Sequence, residues 1–319
     1  MREAAADGIF SEQSGGTEGP PWQRALQLRA LHQTLLYLGR REEAARIADE
    51  LEPLARKIGQ SYSIALCLDT RAWVEFGKAP DLAKLEADFL QFSNSAQKER
   101  FIFWDVLSEV HLSLVDFFRG NWSGALLHAR NSCSLKRESS IEGLGVGTLF
   151  RQMAYAGDHN GAFALLDKDR TRLPVSGHQN TRGSWSIALV VEGLVMLREQ
   201  SQAGQLYPLV QELIGTGAVA LWPIFRFTHT IAGVAAAAAG EWEAAEDHFK
   251  IALQQAAAFP YCLEQAEVQR FHAMMLIDRA APGDREKAQR LLSDALETYT
   301  RIGMPRHVEM IQTLLHSSA

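Results

Sequence analysis

Basic charge is scarce in this chain. Its 319 residues hold 32 Lys and Arg against 38 Asp and Glu, a net charge of −6. Domains that grip nucleic acid carry a basic face, so direct nucleic-acid binding is not expected. Cysteine is scarce too. Cys67, Cys133 and Cys262 lie far apart and none has CxxC spacing, so neither a zinc site nor a disulfide framework is expected. Each falls in a helical pattern, where a small buried hydrophobe is the ordinary role. Long apolar runs are missing: the most apolar one, residues 231–239, is far too short to span a bilayer. The N-terminus lacks a basic-then-apolar signal sequence. A reduced, cytoplasmic compartment without membrane contact is the expectation.

Catalytic motifs are missing as well. There is no GxxxxGK[ST], so the chain alone should not hydrolyse ATP. Gly143-Leu-Gly-Val-Gly resembles a phosphate loop only at a glance. It lacks the preceding strand and the Lys-Ser/Thr, and reads better as small residues where helices cross. The ten histidines form no HExxH and no cluster at ligand spacing, and no GxSxG elbow occurs. The chain therefore reads as no enzyme, with no cofactor and no metal. Period-2 alternation is absent, as are Asn-Gly and Asp-Gly turns between apolar runs, so an all-α fold without β-sheet is expected.

What is present is helical periodicity. Residues 1–21 hold four Gly and two Pro with few large apolar residues, and read as a disordered lead-in. From Trp22 onward, residues 22–319 read as one helical repeat domain, with a sub-boundary conceivable at 173–182 (LPVSGHQNTR). The clearest unit is 226–259, RFTHTIAGVAAAAAGEWEAAEDHFKIALQQAAAF, read as two antiparallel helices with a turn at Gly240. Gly233 is the small position of its first helix. Ala245, Phe249 and Ala252 share one face of its second at 0, +4 and +7.

The same spacing recurs along the chain. It gives Ala44, Ala48 and Leu51, then Ala83, Ala87 and Leu90, then Ala125, Ala129 and Ser132. Ala162 and Leu166 follow, then a poor match at Gln205 beside Gly193 as small position. Ala288, Leu292 and Ala295 come last. Pro53 lies inside the second helix of the first pair and should kink or end it. Carboxylate pairs at Glu42-Glu43 and Glu246-Asp247 are read in first helical turns, where they complement the helix dipole. The last helix, 305–316, would cap the array.

The 226–259 unit, 34 residues with a small/small/aromatic/small pattern, resembles a tetratricopeptide repeat (TPR), although His229 stands at the consensus Trp. This implies a TPR-like superhelix, an α-solenoid of about seven helical hairpins plus a C-terminal capping helix. First helices would line its concave face. Two Trp, Trp122 and Trp242, follow a turn Gly in the same place, as packing residues do. Trp185 and Trp222 do not follow that register. Trp185, Arg226 and His229 combine an aromatic plate, a fork of donors and a titratable ring at the middle of the expected groove, and form the candidate partner-binding site. Against this, Trp185 could simply pin the 173–182 loop and Arg226 could pair with an acid of the next hairpin.

The last third is similar to a more specific family. GSWSIALVVEGL, the AGVAAAAAGEWEAAEDHFKIALQQA hairpin and the DRAAPGDREKAQRLLSDALETYTRIGMPRH ending resemble the C-terminal helical region of large bacterial signalling ATPases. There a class III nucleotide cyclase or a DNA-binding domain precedes a STAND/AAA ATPase. The resemblance is best over 183–315 and weaker over 22–172. It implies a non-catalytic protein–protein interaction or regulatory role toward a protein or peptide partner, such as a nucleotide cyclase or ATPase. A free-standing adaptor holding a peptide or protein in its groove is the alternative, and an enzyme on an α/α array a third.

Overall fold

The computed structural model describes residues 20–97, 102–135, 142–169, 181–224, 226–259 and 261–317. The expected lead-in lies outside them up to residue 19, and so does most of the 173–182 loop. Its last two residues already belong to a helix.

The fold is all-α. In chain order the helices are α1 (Pro21–Tyr37), α2 (Arg41–Ile58), α3 (Ser61–Lys78), α4 (Leu82–Gln97), α5 (Ile102–Phe118) and α6 (Trp122–Ser134). Next come α7 (Glu142–Tyr155), α8 (His159–Asp169), α9 (Thr181–Met196), α10 (Gln200–Gln205) and α11 (Tyr207–Gly215). The last are α12 (Thr228–Ala238), α13 (Trp242–Ala258), α14 (Cys262–Arg279), α15 (Asp284–Ile302) and α16 (Pro305–Ser317). Apart from α8 and α9, each helix packs on the next in sequence, and α5, α7, α9, α12 and α14 also touch in a row of their own. That row forms an inner layer. One continuous apolar core runs from Leu35 to Ile311.

The seam residues explain the pairing. Ala44, Ala48 and Leu51 are fully buried, as are Ala245, Phe249 and Ala252, and Ala288, Leu292 and Ala295. Small residues at the anchor let the partner helix approach closely, and the larger residue at +4 or +7 fills the flank. Burying a ring such as Phe249 contributes about 2–3 kcal/mol. Two expected anchors are off by two residues. On α4, Ala83, Ala87 and Leu90 face solvent, and the buried 0/+4/+7 set is Leu85, Phe89 and Phe92. Gln205 is exposed, and the buried set there is Ala203, Tyr207 and Val210. Both misreadings came from letting Ala or position outrank apolar volume.

Three further expectations are corrected. Pro53 does not end α2, which runs on from Arg41 to Ile58. Pro53 is on the exposed face, so water can satisfy the carbonyl left without its partner. Glu246 and Asp247 lie in the second turn of α13, and Glu246 instead pairs with Lys287 at 2.6 Å and Arg279 at 2.9 Å. Of the cysteines, Cys67 is buried but Cys133 and Cys262 are only half-buried.

Strand is not wholly absent. Arg226 and Phe227, expected to start a helix, form instead a strand, β2 (Arg226–Phe227), paired in a two-residue antiparallel ladder with β1 (Ala220–Leu221), and α12 starts only at Thr228. This ladder is a bridge to the front of the chain. Val219 N donates to Tyr37 O at 2.8 Å, and Trp222 Nε1 donates to the buried carboxylate of Asp69 at 2.5 Å. The far end closes as well. The start of α16 meets the α5–α6 turn, where Cγ of Arg306 would sit 2.9 Å from a Cβ at Gly120. The inner layer is thereby covered from both ends of the chain.

Candidate functional site: the polar interior

The inner layer is not a bare groove. α14 reads EQAEVQR from Glu264, so Glu264, Glu267 and Arg270 recur at three-residue steps on one face. That face is turned inward, and all three are nearly fully buried. Arg226, at the end of the ladder, lies among them. Its Nη1 donates to Glu264 Oε2 at 2.6 Å, and its Nη2 to Glu192 Oε2 at 3.0 Å and Glu267 Oε2 at 3.2 Å. Glu264 Oε1 also accepts from Phe227 N at 2.9 Å and Thr230 Oγ1 at 2.7 Å. Glu267 accepts from Tyr299 and from Arg270 Nη2 at 2.7 Å, and Arg270 also reaches Tyr155 Oη at 2.7 Å. Tyr155 in turn donates to Glu192 Oε1 at 2.8 Å. Three carboxylates and three guanidinia (with Arg151) gather from α7, β2, α9 and α14.

The electrostatics separate two neighbouring acids. Burial, with a smaller push from the Glu267 charge, raises the Glu264 carboxyl, and it stays raised despite Arg226 and Thr230. Burial also acts on Glu267, but Arg270 and Arg226 together outweigh it and hold that carboxyl well below its usual range. Tyr155 and Tyr299 are pushed up, first by burial. His307, ringed by Phe117, Tyr155 and Tyr299, is lowered to about 3 by burial and stays neutral. Such mutual neutralisation holds charges in place and presents no nucleophile with an adjacent base.

One cavity borders this network, and a second lies beyond it. An inner one of about 40 Å³ is walled by Arg41, Arg151, Arg226, Glu264 and Glu267, with Trp73, Phe76, Phe117, Phe118 and Tyr261 as its aromatic lining. The second, of about 200 Å³, lies at the start of α2 and is lined by residues from Gly39 to Arg46 and by Ala258, Phe259 and Tyr261. Arg41, Gly77 and Tyr261 belong to both walls. The Arg41 guanidinium lies 3.0 Å from the centre of the Tyr261 ring, and burial pulls its pKa well below the usual range.

The three residues singled out by sequence fare differently. Trp185 is 3% exposed and packs on Trp222, with ring centres 6.4 Å apart. It presents no open plate. Arg226 is 8% exposed and takes the acid of the next hairpin that sequence left as its alternative role. His229 stands apart from both, half-buried, its Nδ1 3.0 Å from Nδ1 of His248, whose Nε2 is 3.0 Å from Tyr207 Oη. Sequence reading passed over Glu192, Glu264, Glu267, Arg270 and Arg151. The available signal was charge set at three-residue steps among large apolar neighbours on first helices.

The glycines of Gly143-Leu-Gly-Val-Gly lie in or beside α7 at helix crossings. A Cβ at Gly147 would come within 3.3 Å of Ser186 Cα on α9, and one at Gly145 within 3.3 Å of Ser132 O on α6. Among the described residues no group of three or more His, Cys, Asp or Glu converges as a metal site. Nor is any described helix long and apolar enough to cross a membrane. Set against protein-family models and curated proteins, the chain matches none of them.

Proposed function

We propose that this chain is a non-catalytic protein–protein interaction and regulatory module, built as a TPR-like superhelix, that acts on a protein or peptide partner of a bacterial signalling system. The observation that carries this reading is the regularity of the seams. With the two corrected anchors, buried positions 44, 85, 125, 162, 203, 245 and 288 recur every 37–43 residues. Arrays of that kind grow by nearest-neighbour contact and serve as extended holding surfaces. The inner ion network favours the same reading, because its acids and guanidinia are tied to one another instead of being offered to a reacting group. The resemblance of the last third makes a nucleotide cyclase or a STAND/AAA ATPase the first partner to test. Arg226 is kept as a contact candidate because it lines the inner cavity. Trp185 and His229 keep that role only if the partner opens their packing.

The test is reconstitution with cyclase–ATPase chains from the same genome. Co-elution together with a changed partner rate supports the proposal. Turnover by this chain alone, lost with one point substitution in it, would refute it. Capture of a peptide or protein with no catalytic partner involved would favour the free-standing adaptor instead.

A further inference from the structure

The histidines of this chain take different partners. His32, His111, His272 and His307 lie in the core. His128 and His159 meet carboxylates, and His316 meets a backbone carbonyl. Among the described residues, only His229 and His248 bring two ring nitrogens together. Their Nδ1 atoms are 3.0 Å apart, with ring centres 5.2 Å apart and planes tilted by 43°. Both side chains are half-buried, one in the first turn of α12 and one in the middle of α13.

A neutral imidazole carries one N–H and one bare nitrogen, so two rings facing in this way share one proton between two lone pairs. His248 Nε2 lies 3.0 Å from Tyr207 Oη, at the start of α11. In the tautomer in which that Nε2–H donates to Tyr207, His248 Nδ1 turns a lone pair toward His229, and the shared proton is the one on His229 Nδ1. Moving this proton to Nε2 of the same ring frees the second lone pair and leaves both rings neutral. A hydrogen-bond acceptor behind the far nitrogen is what holds a ligating imidazole in place.

The spacing selects among ions. Metal–imidazole bonds are about 2.0–2.1 Å long. Two of them at a right angle put the nitrogens about 2.9 Å apart, and a tetrahedral angle puts them about 3.3–3.4 Å apart. The observed 3.0 Å is nearer the right-angled value, which a small rotation of each ring turns toward a common point. Nitrogens at right angles belong to the square-planar and tetragonal fields of Cu2+ and Ni2+. Two acids set the local sign, Asp247 acting through space on His248 and Glu241 on Tyr207. Among the described residues no third His, Cys, Asp or Glu converges, so water fills the remaining positions.

We propose that His229 and His248 form a two-histidine site for Cu2+ or Ni2+, with Tyr207 holding the His248 ring. The ion ties α12 to α13 and, through Tyr207, to α11. This site does not depend on the interaction role proposed above.

The experiment uses the full chain, freed of metal with EDTA and then dialysed at neutral pH. Calorimetric titration with CuCl2, NiCl2 and ZnCl2 should give one tightest site per chain, with affinity falling from Cu2+ to Ni2+ to Zn2+ and a raised Tm with Cu2+. The electron paramagnetic resonance of the one-to-one Cu2+ complex should show two coupled nitrogens. His229→Gln and His248→Gln should each weaken Cu2+ binding at least tenfold and remove that two-nitrogen pattern, whereas His159→Gln should change neither. Tyr207→Phe should weaken binding about tenfold while the two-nitrogen pattern survives. On the unaltered chain, substoichiometric Cu2+ should first broaden the amide NMR signals around His229 and His248, which locates the ion should the variants fail to fold. First broadening elsewhere, Zn2+ binding tighter than Ni2+, or undiminished Cu2+ binding by a folded His248→Gln would overturn the site and leave the pair as a hydrogen bond only.

Discussion

The Phe249 ring lies on Gly233. A Cβ added at Gly233 would come 2.7 Å from Phe249 Cε1, and the same ring stacks on His272 with centres 5.1 Å apart. Phe249 thus joins α12 to α14 and has nowhere to retreat. Gly193 stands to Phe150 in the same way, at 2.6 Å.

Gly233→Ala should therefore destabilise the fold. Alanine improves helix propensity by about 1 kcal/mol, but overpacking costs about 1–3 kcal/mol, and here the overpacking wins. Urea unfolding is the measurement. Adding Phe249→Leu should recover part of the loss, and strict additivity of the two changes would show that the rings and glycines do not touch as described.

Arg226→Met should cost about 3–5 kcal/mol, because it strands Glu192, Glu264 and Glu267 in the interior. The sign with pH is specific. Without Arg226, burial drives the Glu264 carboxyl further above its unfolded value near 4.3. The variant's deficit is then greatest at neutral pH and shrinks as pH falls and the acids take up protons. A deficit independent of pH between 5 and 8 would point to lost packing alone.

Acid should weaken the native protein in two stages. His32 and His272 are lowered to about 4, in each case first by burial. A depressed folded pKa means stability that is full above the unfolded value near 6.5 and lost as pH falls toward 4. Glu246 is lowered to about 2, first by its bond to Lys287, so its share is lost only below about pH 4.5. Neither ring nitrogen of His272 has a partner among the described residues. His272→Leu should flatten the decline of Tm between pH 6.5 and 4.5 while leaving the lower stage in place.

Trp222→Phe should loosen the bridge between the ladder and α3. Asp69 is fully buried; it keeps His111 Nε2 at 3.0 Å but loses the indole donor. A lost hydrogen bond to a buried charge costs about 1.5–3 kcal/mol. Hydrogen exchange should quicken at Val219, whose N–H bonds Tyr37 O across the same bridge. Unchanged exchange there would mean that the ladder is held by its apolar contacts alone.

Arg198 sits at φ +64°, in the place where Gly240 has φ +78°, and makes the same turn bonds: its N–H reaches Val195 O, and Glu199 N–H reaches Leu194 O. Left-handed backbone costs an ordinary residue about 1–2 kcal/mol, partly offset by glycine's greater unfolded freedom. Arg198→Gly should raise stability by about 0.5 kcal/mol, read as a small rise in Tm. A fall would assign the Arg198 side chain a contact that matters.

The sequence by itself determined the helices and most of the seams. A 3.6-residue period, turn glycines and 0/+4/+7 small residues act within one helix or one pair, so they are legible in a single chain. Ala44, Ala125, Ala245 and Ala288 were placed correctly for that reason, and the α4 anchor failed because Leu85 and Phe89 do a job that Ala does elsewhere. The interior site was legible only at Arg226 and its alternative role. Glu264, Glu267 and Arg270 look from sequence like a solvated stripe. What buries them is the stacking of α9, α12 and α14 and the bridge that the ladder makes to Tyr37 and Asp69. Trp222 meets Asp69 across 153 residues, and Arg270 meets Tyr155 across 115. No local period encodes such meetings, because they depend on the sum of many helix-to-helix rotations. Tertiary structure alone decided that the charges face inward and that Trp185 is covered.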